Sequence, residues 1–221
     1  MKDTVLITGA GRGLGRALAD IFYENGYYLI LNCKDTEILA KERVEFVKGD
    51  LCERGTVEQL VRIAEERNLS ILINNAGVYD RGKFSDIDYA PIEEVLETNL
   101  ITPIVLVRAI WPLFQQNKQG LIININSLAG KYGTDGEAVY CASKYGLKGF
   151  SEALQFDAIR DGIQVMSVFI GAMDTDMTKQ NNSSSEKLIN PREVAQIIFH
   201  LSQMKCGSLR ITEIDIRRGK Y

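Results

Sequence analysis

Val5-Leu6-Ile7-Thr8-Gly9-Ala10-Gly11-Arg12-Gly13-Leu14-Gly15 is an apolar run that ends in a glycine-rich turn, and the segment behind it, Leu14–Asn25, has a helical period. Strand, glycine turn and helix in that order form a grip for a pyrophosphate. The glycines let the backbone approach the phosphates, and the first N–H groups of the helix point at them. Glycine turns between strand and helix also serve packing, so only the segments downstream of this one can decide its role.

Outward from this turn, short apolar runs alternate with longer segments of helical period. That alternation predicts an α/β fold: a Rossmann-like, doubly wound, mainly parallel seven-stranded sheet with helices on both faces. Strands are expected near Thr4–Thr8, Tyr28–Asn32, Val44–Lys48, Ile71–Asn74, Leu121–Asn126, Gln164–Phe169 and Glu213–Ile216. Helices are expected near Leu14–Asn25, Thr56–Arg67, Ile92–Gln116, Val139–Arg160 and Pro191–Ser202, with Pro112 kinking the third. Thr178 to Glu186 is polar and without period, the least ordered candidate, and the stretch around residues 178–190 is short for a substrate lid. A length of 221 residues suits one domain, 1–221.

Bulk composition narrows the function. With 26 basic and 29 acidic residues the net charge is −3, too balanced for nucleic acid or an anionic membrane as the main partner. Arg217-Arg218-Gly219-Lys220 reads as a solvated tail. No apolar run approaches membrane-spanning length and the first strand starts at once, so a cytoplasmic protein without a signal peptide is expected. Cys33, Cys52, Cys141 and Cys206 lack metal-ligand spacing and are read as reduced thiols. The one histidine, His200, lies in a late helix, which rules out a multi-imidazole metal site; no metal is expected. A Ser-His-Asp triad would have to use that residue, and packing or exposure suits it better.

Four further segments fall at carboxyl ends of expected strands, where an open parallel sheet places its ligands: Asp50-Leu51, Asn74-Asn75-Ala76-Gly77, Ser127, and Gly171 to Thr175. Tyr140 and Lys144 are spaced to share one face of the Val139–Arg160 helix. Tyr79 and Lys83 have the same spacing, but Gly82 lies between them after a turn, so they face no fixed direction. A phenol near pKa ~10 is a poor base at neutral pH; an adjacent ammonium and cofactor charge would lower it, at roughly 1.4 kcal/mol per pH unit.

These residues together resemble the short-chain dehydrogenase/reductase family in its compact single-domain branch, over essentially the whole chain. The family's TGxxxGxG is met at Thr8 to Gly15, its NNAG at Asn74 to Gly77 and its YxxxK at Tyr140 to Lys144, with Asn99 and Ser127 matching its asparagine and serine. The resemblance implies that Tyr140 exchanges a proton with the substrate oxygen, which Ser127 orients. Lys144 would bind the nicotinamide ribose and depress the Tyr140 pKa, and Asn99 would hold a water in a proton relay. Gly9, Arg12, Gly13, Leu14 and Gly15 would hold the phosphates. Asp50 would meet the adenine amine and Leu51 its ring, with Asn75, Ala76 and Gly77 along the adenosine. Gly171 would lie in the loop over the nicotinamide and Thr175 would hold its carboxamide. The family usually has proline where Ile170 stands, which loosens that loop, and a second serine where Asn126 stands.

An NAD-selective site needs an acid at the end of the second strand. That place falls on Cys33, followed by Lys34, with Arg12 inside the glycine turn; two cations favour the 2′-phosphate of NADP(H). Asp35 keeps NAD(H) open. The leading reading is thus an NADP(H)-dependent reductase or dehydrogenase of a small carbonyl or alcohol. The alternative is a nicotinamide-binding regulatory or scaffold protein without turnover; a sugar-nucleotide epimerase is disfavoured by chain length and glycine spacing. Substrate contacts are expected from Tyr79, Leu128, Tyr132, Glu137 and Met173. The resemblance implies a homodimer or homotetramer through Ile101, Val105, Trp111 and Phe114 on one helix and Leu147, Phe150, Leu154 and Phe156 on the next, though core packing explains many of these residues equally well.

Overall fold

The computed structural model describes residues 3–36, 41–181, 188–204 and 209–219. Cys206, Lys220 and the 182–187 part of the polar segment lie outside them. Seven strands, β1 (Thr4–Ile7), β2 (Tyr28–Cys33), β3 (Val44–Lys48), β4 (Leu69–Asn74), β5 (Gly120–Ser127), β6 (Ile163–Ile170) and β7 (Glu213–Ile216), form one sheet in the order β3-β2-β1-β4-β5-β6-β7. Every pairing is parallel. The order reverses between β1 and β4, so their carboxyl ends open a crevice there.

Both faces of the central strands are buried, which is why β1, β2, β4, β5 and β6 read as largely apolar runs. The edge strands β3 and β7 carry charged residues and are only partly buried. Val5 and Ile7 of β1 face the layer of α1 (Gly13–Glu24) and α7 (Pro191–Ser202), among Leu18, Phe22 and Ile198. Leu6 between them faces the layer of α2 (Arg54–Glu66), α4 (Thr102–Asn117) and α5 (Ala138–Asp161), among Leu60, Leu106 and Ile110. Phe22 is fully buried and packs edge-on against Tyr27 and Phe199; burial of such a ring stabilises by roughly 2–3 kcal/mol. A buried polar chain crosses the other layer. Asn74 Nδ2 donates to Asn124 Oδ1, Asn124 Nδ2 to Ser151 Oγ, and Ser151 Oγ to the Leu147 carbonyl, tying β4, β5 and α5 together.

Four expectations meet a different or fuller outcome. The Ile92–Gln116 helix is not one α-helix: α3 (Tyr89–Leu96) passes through a π-helical turn, Glu97–Ile101, into α4. Taken together, Tyr89–Asn117 is 29 residues long, apolar enough by length and composition to cross a membrane. No run of that length was expected from the sequence; here its apolar side is used in the core, where Leu106, Ile110 and Phe114 are fully buried. Of the segment Thr178 to Glu186 expected to be least ordered, residues 178–181 complete a short helix, α6 (Asp176–Asn181), and the rest lies outside the described residues. Of the apolar residues assigned to self-association, Phe114 and Leu147 belong to the core, whereas Ile101, Val105 and Phe156 are exposed.

Candidate active site

The glycine turn is built by backbone conformation and close approach. Gly9 and Gly13 have φ of +64° and +54°, where a side chain is strained. A Cβ on Gly15 would lie 2.1 Å from the Gly9 carbonyl oxygen. The turn is stitched to the end of β4: Asn75 Nδ2 donates to the Thr8 and Gly9 carbonyls, and Thr8 Oγ1 accepts from the N–H groups of Asn75 and Ala76. Arg12 stands at the cap of α1 without a capping side-chain bond, so the first N–H groups of that helix remain available to an anion. This cradle, which a Cβ would fill, fits a dinucleotide pyrophosphate.

One continuous cleft of about 830 Å³ runs from this turn along the carboxyl ends of the strands. Its walls include Gly9, Arg12, Gly13, Leu14 and Gly15, then Lys34, Asp50, Leu51, Asn75, Ala76 and Gly77, then Ser127, Tyr140, Lys144, Gly171 and Thr175. The order follows topology, because all but Tyr140 and Lys144, which α5 supplies, sit at or shortly beyond a strand end.

At the end of the cleft beside β2 and β3, β2 stops at Cys33, whose Sγ donates to the Thr36 carbonyl at 2.8 Å. Lys34 Nζ and Asp50 Oδ2 form an ion pair at 2.8 Å, and Asp50 Oδ1 accepts the Cys52 N–H. The lysine bond holds the Asp50 carboxyl below its ordinary pKa and raises that of Lys34. Thus the two residues assigned to separate parts of a cofactor are bound to each other across the cleft wall. Arg12 and Asp35 are exposed on the same rim.

At the other end, β5 delivers Ser127 as its last residue; its Oγ accepts the Ala129 N–H and bonds to Tyr140. Tyr140 and Lys144 point from one face of α5, with Lys144 Nζ 5.8 Å from the centre of the Tyr140 ring. That geometry corrects an expectation. The ammonium lies over the ring, its bond goes to the Ile125 carbonyl at 3.2 Å, and the protein alone does not depress the tyrosine. Burial pushes Tyr140 up to about 12, opposed by the Ser127 bond and reinforced by the Glu137 charge. Burial also pulls Lys144 down to about 8.

The lysine shift has a stability consequence. Below pH 8 both folded and unfolded chains carry the Lys144 proton, and burying that charge costs on the order of 3 kcal/mol. Between about 8 and 10.5 the unfolded chain binds more protons, so the cost fades as pH rises. The cofactor-free Lys144→Met protein is therefore expected to melt higher than wild type at pH 7, with the gap closing toward pH 10. Thermal melts across that range check it, and a pH-independent gap would contradict the assignment.

Asn99 is not on the cleft surface. It lies in the π-helical turn, fully buried, where Oδ1 accepts the Val78 N–H and Nδ2 donates to the Val78 carbonyl and Ser143 Oγ. Gly77 separates it from Lys144: a Cβ there would meet Asn99 Oδ1 at 3.2 Å and Lys144 Nζ at 3.8 Å. Asn126 does line the cleft, but its side chain is committed to the backbone, donating to the Lys144 carbonyl and accepting the Ser127 N–H. Ile170 extends β6 to pair with β7, and the Gly171 N–H bonds the Ile216 carbonyl, so the loop is anchored without a proline. Its far side is closed by a Met173–Ile189 bridge.

Of the expected substrate contacts, Tyr79, Leu128, Glu137 and Met173 line the cleft. Tyr132 does not: it is exposed, and its hydroxyl accepts from Arg217. Arg81, Thr134, Met177 and Arg218 also line the cleft and were missed. Arg81, Thr134 and Arg218 stand in connections and Met177 in the short helix α6, none with a readable period, and only nearness to the Asn74–Gly77 and Gly171–Thr175 segments marks Arg81 and Met177 in the sequence.

Fold and cleft are those of a nicotinamide-dependent oxidoreductase. The short chain dehydrogenase family pattern matches residues 3–186, and the chain belongs to that family. It is 27% identical over 222 residues to an uncharacterized oxidoreductase of Staphylococcus aureus strain MW2, covering 96% of this chain and 95% of that protein. It is 27% identical over 235 residues to a 3-oxoacyl-[acyl-carrier-protein] reductase of Vibrio cholerae, covering 98% and 96%. Among solved structures, a short-chain dehydrogenase of Sphingobium yanoikuyae in complex with NADPH superposes with a TM-score of 0.83 at 26% identity, over 97% of this chain and 87% of that one. A 4-hydroxyisoleucine dehydrogenase complexed with NADH and succinate gives 0.85 at 24% identity, over 96% and 97%.

Proposed function

We propose that this dehydrogenase uses NADP(H) in preference to NAD(H) and moves a hydride between the nicotinamide and a small carbonyl or alcohol, in the cytoplasm and as a homodimer or homotetramer. One observation carries the reading: Ser127, Tyr140 and Lys144 meet in the same cleft as the phosphate-fitting turn at Gly9 to Gly15. The nicotinamide supplies the hydride. Ser127 hydroxyl and Tyr140 phenol both address one oxygen of the substrate. With its pKa pushed up to about 12, Tyr140 is protonated at neutral pH and suited to donate to a carbonyl oxygen. Lys144 faces the cleft close behind and binds the ribose hydroxyls. The π-helical turn at Asn99 breaks the regular ladder of helix bonds, and we assign to it a water that returns a proton toward Lys144. Asp50 and Leu51 hold the adenine, Asn75 to Gly77 line the adenosine, and Gly171 and Thr175 hold the nicotinamide side. The free thiols of Cys33, Cys52 and Cys141 suit a reducing compartment.

The preference for NADP(H) rests on Cys33, which offers no carboxylate at the end of β2, and on Arg12 and Lys34 beside it. Arg12 and Lys34 would hold a 2′-phosphate, Lys34 exchanging its Asp50 pair for that anion. Calorimetric titration is expected to show NADPH binding at least about tenfold tighter than NADH, with the advantage lost in an Arg12→Ala, Lys34→Ala protein. NADH binding as tightly as NADPH would overturn the preference and point to Asp35. Binding of neither would remove the enzyme reading.

A further inference from the structure

Glu137 stands at the start of α5 but does not cap it: its side chain makes no bond to the first N–H groups of the helix. Instead Oε1 accepts the Tyr79 hydroxyl at 2.6 Å. The Tyr79 ring lies edge-on against Tyr140, centroids 4.9 Å apart and planes 75° to each other. A carboxylate is thus held one helical turn before Tyr140, on the wall of the cleft. Its second oxygen has no hydrogen-bond partner among the described residues, and Arg81 on the same wall does not pair with it. A half-buried carboxylate on the cleft wall with an unused oxygen is an acceptor open to what fills the cleft. Leu128 and Met173 make the neighbouring wall apolar.

Resting on the function proposed above, we infer that the substrate carries a hydroxyl or ammonium donor beside its reacting carbon, and that Glu137, fixed by Tyr79, receives it. With the reacting oxygen at Tyr140 and Ser127, a donor on the adjacent carbon faces Glu137 across the Tyr79 ring edge. The same charge repels a carboxylate at that position, and a plain alkyl group there leaves the oxygen unsatisfied. Glu137 is therefore a specificity-determining residue.

Three matched ketones test this: 2-hydroxyacetophenone, its isostere propiophenone, and the anionic phenylglyoxylate, each measured as kcat/KM with the preferred cofactor. The hydroxyketone is expected to exceed propiophenone by about tenfold, the effect of one hydrogen bond to a charged group, with phenylglyoxylate poorest. Glu137→Ala brings the ratio near one, Glu137→Gln restores part of it, and Tyr79→Phe, which releases the carboxylate, lowers it. Equal wild-type values for the first two ketones, a ratio unchanged in Glu137→Ala, or a preference for phenylglyoxylate would each overturn the inference while leaving the dehydrogenase reading intact. No turnover of any ketone counts against the function proposed for the site. The inference is then read from melting temperatures of the protein saturated with NADP+ or NAD+. A larger rise with the hydroxyketone in wild type than in Glu137→Ala supports it, and equal rises overturn it.

Discussion

Tyr140→Phe is expected to lower turnover of any accepted carbonyl by about a thousandfold while leaving nicotinamide affinity within a few-fold. The substitution removes one oxygen and keeps the ring, so the edge contact with Tyr79 and the placement of Lys144 over the ring persist. Lost are the bond to Ser127 and the phenolic proton beside that serine. Because the pKa of Tyr140 is pushed up to about 12, its loss also separates two directions of reaction. Carbonyl reduction by wild type is expected to be flat through neutral pH, where the phenol is protonated. Alcohol oxidation, which needs the phenolate, is expected to rise with pH until bound cofactor and Lys144 can lower that value. Steady-state rates of both directions against pH, with calorimetry of the variant, check this. A Tyr140→Phe protein that turns over at the wild-type rate would remove the acid/base assignment altogether.

Gly15→Ala is expected to abolish cofactor binding and to destabilise the fold by roughly 1–3 kcal/mol or more. The added methyl would sit 2.1 Å from the Gly9 carbonyl oxygen and 2.5 Å from Asn75 Nδ2. Relief requires the turn to move away from the end of β4, which breaks the Asn75 bonds to Thr8 and Gly9. The N–H groups at the start of α1 then no longer converge on one anion. Gly55 in α2 is the control, since nothing lies within 4 Å of a Cβ placed there. Gly55→Ala should leave nicotinamide affinity unchanged and raise stability by about 0.5–1 kcal/mol through helix propensity. Calorimetry with NADPH and thermal melts of the two variants side by side give the answer. A Gly15→Ala protein that binds like Gly55→Ala would show that the turn is not the phosphate grip.

The sheet and its cleft were legible in the sequence for simple reasons. Strands buried on both faces read as apolar runs, and a parallel sheet brings every strand's carboxyl end to one edge. Residues at the ends of those runs therefore had to converge, and Gly9, Asp50, Asn75, Ser127 and Gly171 do. The π-helical turn at Glu97–Ile101 was not legible, because one extra residue in a helical ladder leaves the apolar period nearly intact. Tyr132 was misplaced because a residue in a short turn has no period to fix its direction; its neighbour Lys131, bonded to Glu213 and Asp215, helps turn that segment toward β7.

By itself, the sequence determined the fold class, the glycine cradle and the pairing of Tyr140 with Lys144 on one helical face, since each follows from spacing along a single element. Only the tertiary structure decided what those groups experience. It set Lys34 against Asp50, put Lys144 over the Tyr140 ring with its bond on the Ile125 carbonyl, and turned Glu137 from a helix cap to Tyr79. Charge, burial and hydrogen bonding act through distances of a few ångströms between residues far apart in the chain, and those distances are fixed only when separate elements pack.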